Sequence, residues 1–296
     1  MLLSVPNVSE RAGAALGPAF APARVLRTHS DPDHGRSVYT LAGRQGELAR
    51  ALVNGAREAL ARIDLTRHAG IHPHVGVVDV VPLVHLDGAR RGAACAEALT
   101  TAALLGDELG LPVFLYGALA TDPSRIERAD LRRGGPGKLA ERVAAGELAP
   151  DFGPHAIDPR RGATLVTARP PLVAFNVDLA TGDVDLARAI AHDLRESSGG
   201  LPGVRALGLM LEERGRAQVS VNVHDHRAVP LAVVVARVRA RAEVAECELV
   251  GLAPAAAFDG FPDDVPLRDF DPARDLIENA LGSAAAHGTD QAQASA

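Results

Sequence analysis

The stretch Arg67-His68-Ala69-Gly70-Ile71-His72-Pro73-His74-Val75-Gly76-Val77-Val78-Asp79 gathers three histidines, two glycines and one proline between a helical and a strand-like segment. That composition describes a structured loop, and loops held on rigid elements are where reactive side chains collect. Imidazole titrates near ~6.5, so it can accept and donate a proton at neutral pH. Asp79 can orient such an imidazole through its carboxylate, or it can simply bond to backbone. Metal ligation and plain loop histidines stand beside the catalytic reading. Pro73 and the flanking glycines break the helix that an i, i+4 ligand pair would use, and no carboxylate or thiolate sits beside the histidines. On these residues alone the signal for catalysis is weak.

The elements that must position this loop follow from periodicity. Strands are expected at 2–5, 23–29 and 36–42, the last two separated by the turn-forming Ser30-Asp31-Pro32-Asp33-His34-Gly35. Leu48, Leu52, Val53, Ala56, Leu60 and Ile63 recur at helical spacing over 46–62. A β-branched run, 77–84, reads as a buried strand. A helix over 91–109 stops at Gly110, a short strand covers 112–116, and 121–147 is helical in part. Residues 149–171 are rich in Gly, Pro and Arg and read as an ordered loop.

The second half reads as β-α-β-β-α-β: a half-buried strand at 173–179, a helix at 183–195, strands at 204–212 and 216–224, a helix at 229–243 and a strand at 246–252. The first half can be read as the same order with extra strands. The fold class is therefore α+β with two βαββαβ-type lobes, 1–170 and 171–282, followed by a small polar tail, 283–296, expected to be disordered. In 216–224, Val219, Val221 and Val223 must face the helices. Gln218, Ser220, Asn222 and His224 then share the other face, joined by Asn176 and Asp178 if the strands are neighbours. That face is either solvated surface or the wall of a polar cleft.

Composition narrows the setting. Of 296 residues, 47% are apolar and 23% charged, enough for a real core. No apolar run reaches the ~20 residues of a membrane span, and no signal peptide is read at the N-terminus. Cys95 and Cys247 form neither a disulfide framework nor a metal pair, which fits a reducing cytoplasm. A net charge of -6, no Trp and only two Tyr argue against nucleic acid as partner. The expectation is a cytoplasmic enzyme acting on small anionic molecules.

A series of short motifs, in order along 1–255, resembles the formiminotransferase family. They include Val5-Pro6-Asn7-Val8-Ser9-Glu10, Arg36-Ser37-Val38-Tyr39-Thr40, the run from Gly70 through His72 to Val80, and Leu111-Pro112-Val113-Phe114-Leu115-Tyr116-Gly117. Ala149-Pro150-Asp151-Phe152-Gly153-Pro154, Leu172-Val173-Ala174-Phe175-Asn176-Val177, Ala217-Gln218-Val219-Ser220-Val221-Asn222 and Leu249-Val250-Gly251-Leu252-Ala253-Pro254 continue it. Ile71 and His74 stand where relatives often have glutamate and arginine, and Thr167 where a glycine is usual.

The resemblance implies two ferredoxin-like subdomains with a folate groove between them, and transfer of a formimino group from N-formimino-L-glutamate to tetrahydrofolate. It places the catalytic histidine at His72 and the folate-binding loop at Gly153, Pro154, His155, Ala156, Ile157, Asp158, Pro159, Arg160, Arg161 and Gly162. Glycines there would let backbone approach a flat pterin. Arg36, Arg160, Arg161 and Arg169 can supply forked donors to substrate carboxylates. Asn7, Asn176 and Asn222 are candidate amide partners, with Asn7 alternatively a turn residue or a cap for a helix starting at Ser9. Tetrahydrofolate is expected as co-substrate, with no metal. A homodimer and a separate cyclodeaminase for the next step are expected as partners, because vertebrate members carry that activity fused. A related transferase with another formimino or formyl donor, and a folate-binding paralogue without turnover, remain open readings.

Overall fold

Pro6 has no N–H to give to a ladder, so the N-terminal strand is broken into β1 (Leu2–Ser4) and β2 (Asn7–Val8). The computed structural model describes residues 1–10 and 16–282. β3 (Arg24–Asp31) and β4 (Arg36–Gly43) form an antiparallel hairpin whose turn closes at Gly35, φ 63°. α1 (Glu47–Arg62) buries Leu48, Leu52, Val53 and Ala56. Its first turn has no cap of its own: Gly46 and Ala49 donate their N–H groups to the buried carboxylate of Glu97. A negative group at a helix N-terminus satisfies orphan donors and complements the dipole.

β5 (Val78–Val84) is buried throughout, and α2 (Arg91–Leu109) ends at Gly110 with φ 60°, as the sequence predicts. β6 (Val113–Leu115), α3 (Arg128–Arg132), α4 (Gly135–Ala144) and β7 (Thr164–Arg169) complete the first compact unit, Met1–Pro170. β7 corrects the reading of 149–171 as loop throughout. Only its first part is irregular; Thr164–Arg169 is a strand lying parallel between β5 and β6. Thr167 accordingly sits in a strand, its Oγ1 donating to the Tyr116 carbonyl at 2.7 Å.

Among the described residues the first unit's sheet runs β6-β7-β5-(β1, β2)-β4-β3. One apolar cluster packs α1 and α2 on it, with Leu41, Leu52, Leu83 and Leu105. A second, with Phe114, Leu131, Leu139 and Leu165, packs α3 and α4.

The second unit begins at Pro171. It contains β8 (Val173–Leu179), α5 (Val184–Leu194), β9 (Val204–Leu211), β10 (Arg216–Val223), α6 (Leu231–Arg239) and β11 (Val244–Val250), the predicted β-α-β-β-α-β order. A short β12 (Leu267–Arg268) and α7 (Pro272–Asp275) follow. Strand order is β12-β11-β8-β10-β9, antiparallel except for β11–β12. α6 is shorter than the predicted 229–243, beginning after Pro230. Val219, Val221 and Val223 face the helices in one core with Ile190, Leu194, Val234 and Val238. β8 is buried on more than one face, not half-buried as read, because its polar residues are paired (below). The predicted tail, 283–296, lies outside the described residues.

Candidate active site

The histidine loop is stitched to the β3–β4 hairpin. Ile71 N–H donates to the Asp33 carbonyl and His72 N–H to the His34 carbonyl. A Cβ on Gly70 would lie 2.3 Å from the His34 carbonyl oxygen, so only glycine permits this approach. On its other side the loop meets the segment before β7: Val77 N–H donates to Arg161 O at 2.9 Å and Ala163 N–H to Val75 O at 3.0 Å. Ser9 Oγ closes the third side on Gly76 O at 2.8 Å.

His72 is 8% exposed. Nη1 of Arg36 lies 2.7 Å from Nε2, and the imidazole Nδ1 is 2.9 Å from Pro73 O. A guanidinium only donates, so Nε2 carries the lone pair and Nδ1 carries the proton. Burial, then the charges of Arg36 and Arg132, hold this imidazole well below the ordinary histidine range. His72 is thus neutral at physiological pH. Its ring stacks on His34, centroids 5.8 Å apart. His74 Nδ1 turns to His72 O, and its ring meets His68 edge-on. Despite this crowding, no group of three His, Cys, Asp or Glu among the described residues is placed to hold a metal ion.

Asp79 does not reach His72. Two consecutive residues of β2, Asn7 and Val8, face Val80 and Val78, so Asp79 is the extra residue of a β-bulge. Bulges re-aim side chains beside sites. Here the carboxylate accepts from Val75 N–H at 2.9 Å and from Arg132 of α3, with which it forms a buried ion pair. Its role is to hold the loop from behind. Asn7 lies within strand β2.

Arg36 contacts His72, while Arg169 is linked to this region through its electrostatic interaction with Arg128. Burial brings Arg36 down to about 9 and Arg169 to about 10, leaving both cationic at neutral pH. Arg169, at the end of β7, donates to Pro170 O. Arg128 and Arg132 were missed by sequence reading. Arg36, Arg128 and Arg132 all act electrostatically on His72, and Arg169 joins this cationic cluster through Arg128.

The glycine-rich loop differs from expectation in detail. Gly153 (φ 79°) faces the Leu111 carbonyl, where a Cβ would sit 2.0 Å from its oxygen, and Gly162 (φ 71°) faces that of Val75. Both glycines serve approach of protein backbone. Arg161 donates to Leu109 O at the end of α2, and Arg160 forms an exposed pair with Asp64. Neither is directed at His72's partners. Pro154, His155, Ala156, Asp158 and Pro159 are exposed, while Ile157 packs on the second cluster.

In the second unit, the polar face of β10 is a paired network rather than bare surface. Gln218 donates to Asp178 at 2.7 Å and Asn176 to Glu248 at 3.0 Å. Arg268 bonds Asp178 and Glu246 and pairs with Glu248. Burial raises the Asp178 carboxyl above its usual range in spite of these partners. Asn222 faces Ala174 on β8 and Arg205 on β9, and is half-buried.

Family models match the chain over residues 2–169, as formiminotransferase domain, N-terminal subdomain, and over 174–259, as formiminotransferase domain. The chain is 35% identical over 290 residues to the glutamate formimidoyltransferase of Streptococcus pyogenes serotype M1, covering 94% of this chain and 97% of that one. It is 32% identical over 241 residues to the glutamate formimidoyltransferase of Thermoplasma acidophilum, 79% of each. Against the formimidoyltransferase-cyclodeaminase of Sus scrofa it is 36% identical over 271 residues, 86% of this chain and 50% of that relative. Matched along both units, the chain belongs to the formiminotransferase family.

Proposed function

We propose that this protein transfers the formimino group of N-formimino-L-glutamate to N5 of tetrahydrofolate, releasing 5-formiminotetrahydrofolate and glutamate. The observation that carries the reading is His72, a buried neutral imidazole with a defined lone pair, set among cations suited to carboxylate-bearing substrates. N5 attacks the formimino carbon and gives a tetrahedral adduct. His72 Nε2 takes the N5 proton as Arg36 turns from it toward a substrate carboxylate. The imidazolium then gives that proton to the glutamate nitrogen as its bond to carbon breaks. An imidazole whose pKa is lowered by burial and by cations becomes a strong acid once protonated, so the return step is favoured.

Tetrahydrofolate is a co-substrate in this reaction, and no step requires a metal. Pro154, His155 and Ala156 offer exposed contacts for folate, and Asn7, Asn176 and Asn222 remain amide candidates. The same reading has the protein working in the cytoplasm as a homodimer. Its product passes to a separate cyclodeaminase, an activity that stands beside formimidoyltransferase in the name of the Sus scrofa relative.

The test is turnover of formiminoglutamate with tetrahydrofolate, following the product by mass. His72→Ala should lower the rate by ~10²–10⁴-fold with folate affinity nearly unchanged. Unchanged turnover in the variant would reject His72 as the proton carrier. Folate binding by the wild type without turnover would reject the donor.

A further inference from the structure

Arg128 and Arg132 occupy the two ends of α3, four residues apart. On a helix that spacing puts both on one face, with Cβ atoms ~5–6 Å apart. Arg132 is locked to Asp79, so the orientation of this face toward the histidine loop is set. Three of the four clustered arginines are engaged: Arg36 with His72, Arg132 with Asp79, and Arg169 with the Pro170 carbonyl. Arg128 is half-buried and its side chain makes no hydrogen bond or ion pair among the described residues.

The charges do not balance. Among the strongest influences on Arg36 and Arg132, three guanidinium groups (Arg36, Arg128 and Arg132) meet two carboxylates, Asp79 and Asp31. Asp79 is already bonded through both oxygens, and Asp31 accepts from His34 N–H. A partly desolvated cation without a counter-charge is costly unless a ligand supplies one. Its planar fork matches a carboxylate.

We propose that Arg128 binds a carboxylate of the amino-acid donor and is a specificity-determining residue of this site. The inference rests on the formimino-transfer reading, because that donor brings two carboxylates to the cluster. A bound carboxylate would also offset the charge that Arg128 now exerts on His72 and Arg36. Donor binding therefore restores basicity to the imidazole at the moment it must take a proton. Folate tails carry carboxylates too, and the test separates the two sources.

Arg128→Gln removes the charge and leaves no group unpaired, since the Arg128 side chain bonds to none. Its KM for formiminoglutamate should rise about 10- to 100-fold, far more than kcat changes, with the KM for tetrahydrofolate unaltered. Arg128→Lys should recover part of the loss. An unchanged donor KM would overturn the proposal. So would a raised folate KM that disappears with a tetrahydropteroate lacking the glutamate tail, because the ligand would then be the folate. If the wild type does not turn over formiminoglutamate, the functional reading fails separately. Calorimetric titration of L-glutamate then judges Arg128 alone: weaker binding in Arg128→Gln supports it, and equal or absent binding in both proteins overturns it.

Discussion

Replacing Arg132 by Met keeps most of the side-chain length and removes the charge facing Asp79. Both partners are buried, Asp79 to 1% exposure and Arg132 to 8%. Removing one member of a buried pair leaves the other uncompensated, at a cost of about 3–5 kcal/mol. The pair itself contributes far less than that. Burial, with Arg128, holds the Arg132 guanidinium below its usual range in spite of Asp79, and for buried pairs desolvation commonly offsets the attraction. The double variant Asp79→Asn, Arg132→Met should therefore be destabilised by less than the sum of the single variants. Its residual cost is the weakened bond to Val75 N–H. Urea unfolding followed by tyrosine emission is suited to this test. The chain has no Trp and two Tyr, Tyr39 and Tyr116, both in the first unit, so the signal reports that unit. With m of ~1–3 kcal/mol/M, Arg132→Met should lower the midpoint by about 1–5 M. A cost below about 1 kcal/mol, or strict additivity in the double variant, would refute the reasoning.

Two other outcomes follow from the same geometry. Because His72 titrates below 6.5, its base form survives to lower pH, and the acidic limb of kcat/KM should lie below pH 6.5; a midpoint at or above 6.5 in the pH–rate profile would contradict the assigned burial. Gly76→Ala would place a Cβ 2.0 Å from the Ala163 carbonyl oxygen, so it should cost at least about 1–3 kcal/mol in the tyrosine-monitored melt and displace the His72 loop; a wild-type midpoint would show that this backbone crossing yields easily.

Much of the architecture was legible because its signals are local. α2 and its Gly110 stop, the alternation in β10, and the β9–β10 hairpin at Glu213-Arg214-Gly215 each announce themselves within a few residues. β7 did not. A parallel strand buried on both faces has no polar alternation, and Pro159, Gly162, Pro170 and Pro171 around it give the whole stretch the composition of a loop. His72 and Arg36 were visible as candidates, but their contact spans 36 residues of sequence. For Asp79 the motif leaves two readings, a partner of His72 or a bond to backbone, and the second holds at Val75 N–H. Its bulge also turns it to Arg132, 53 residues away, a pairing without local trace. The i, i+4 spacing of Arg128 and Arg132 was the one available hint of the cluster.

The position of β7 bears on how the chain acquires its shape. It is the last strand of the first unit to be synthesised, yet it fills the interior of the sheet. Until residue 169 has left the ribosome, β5 presents a bare edge and β6 lacks its neighbour. Bare, apolar edges recruit other chains. For the time needed to make residues 85–169, the growing polypeptide is thus a template waiting for its own final segment, and the arrival of Thr164–Arg169 is the event that seals it against its neighbours.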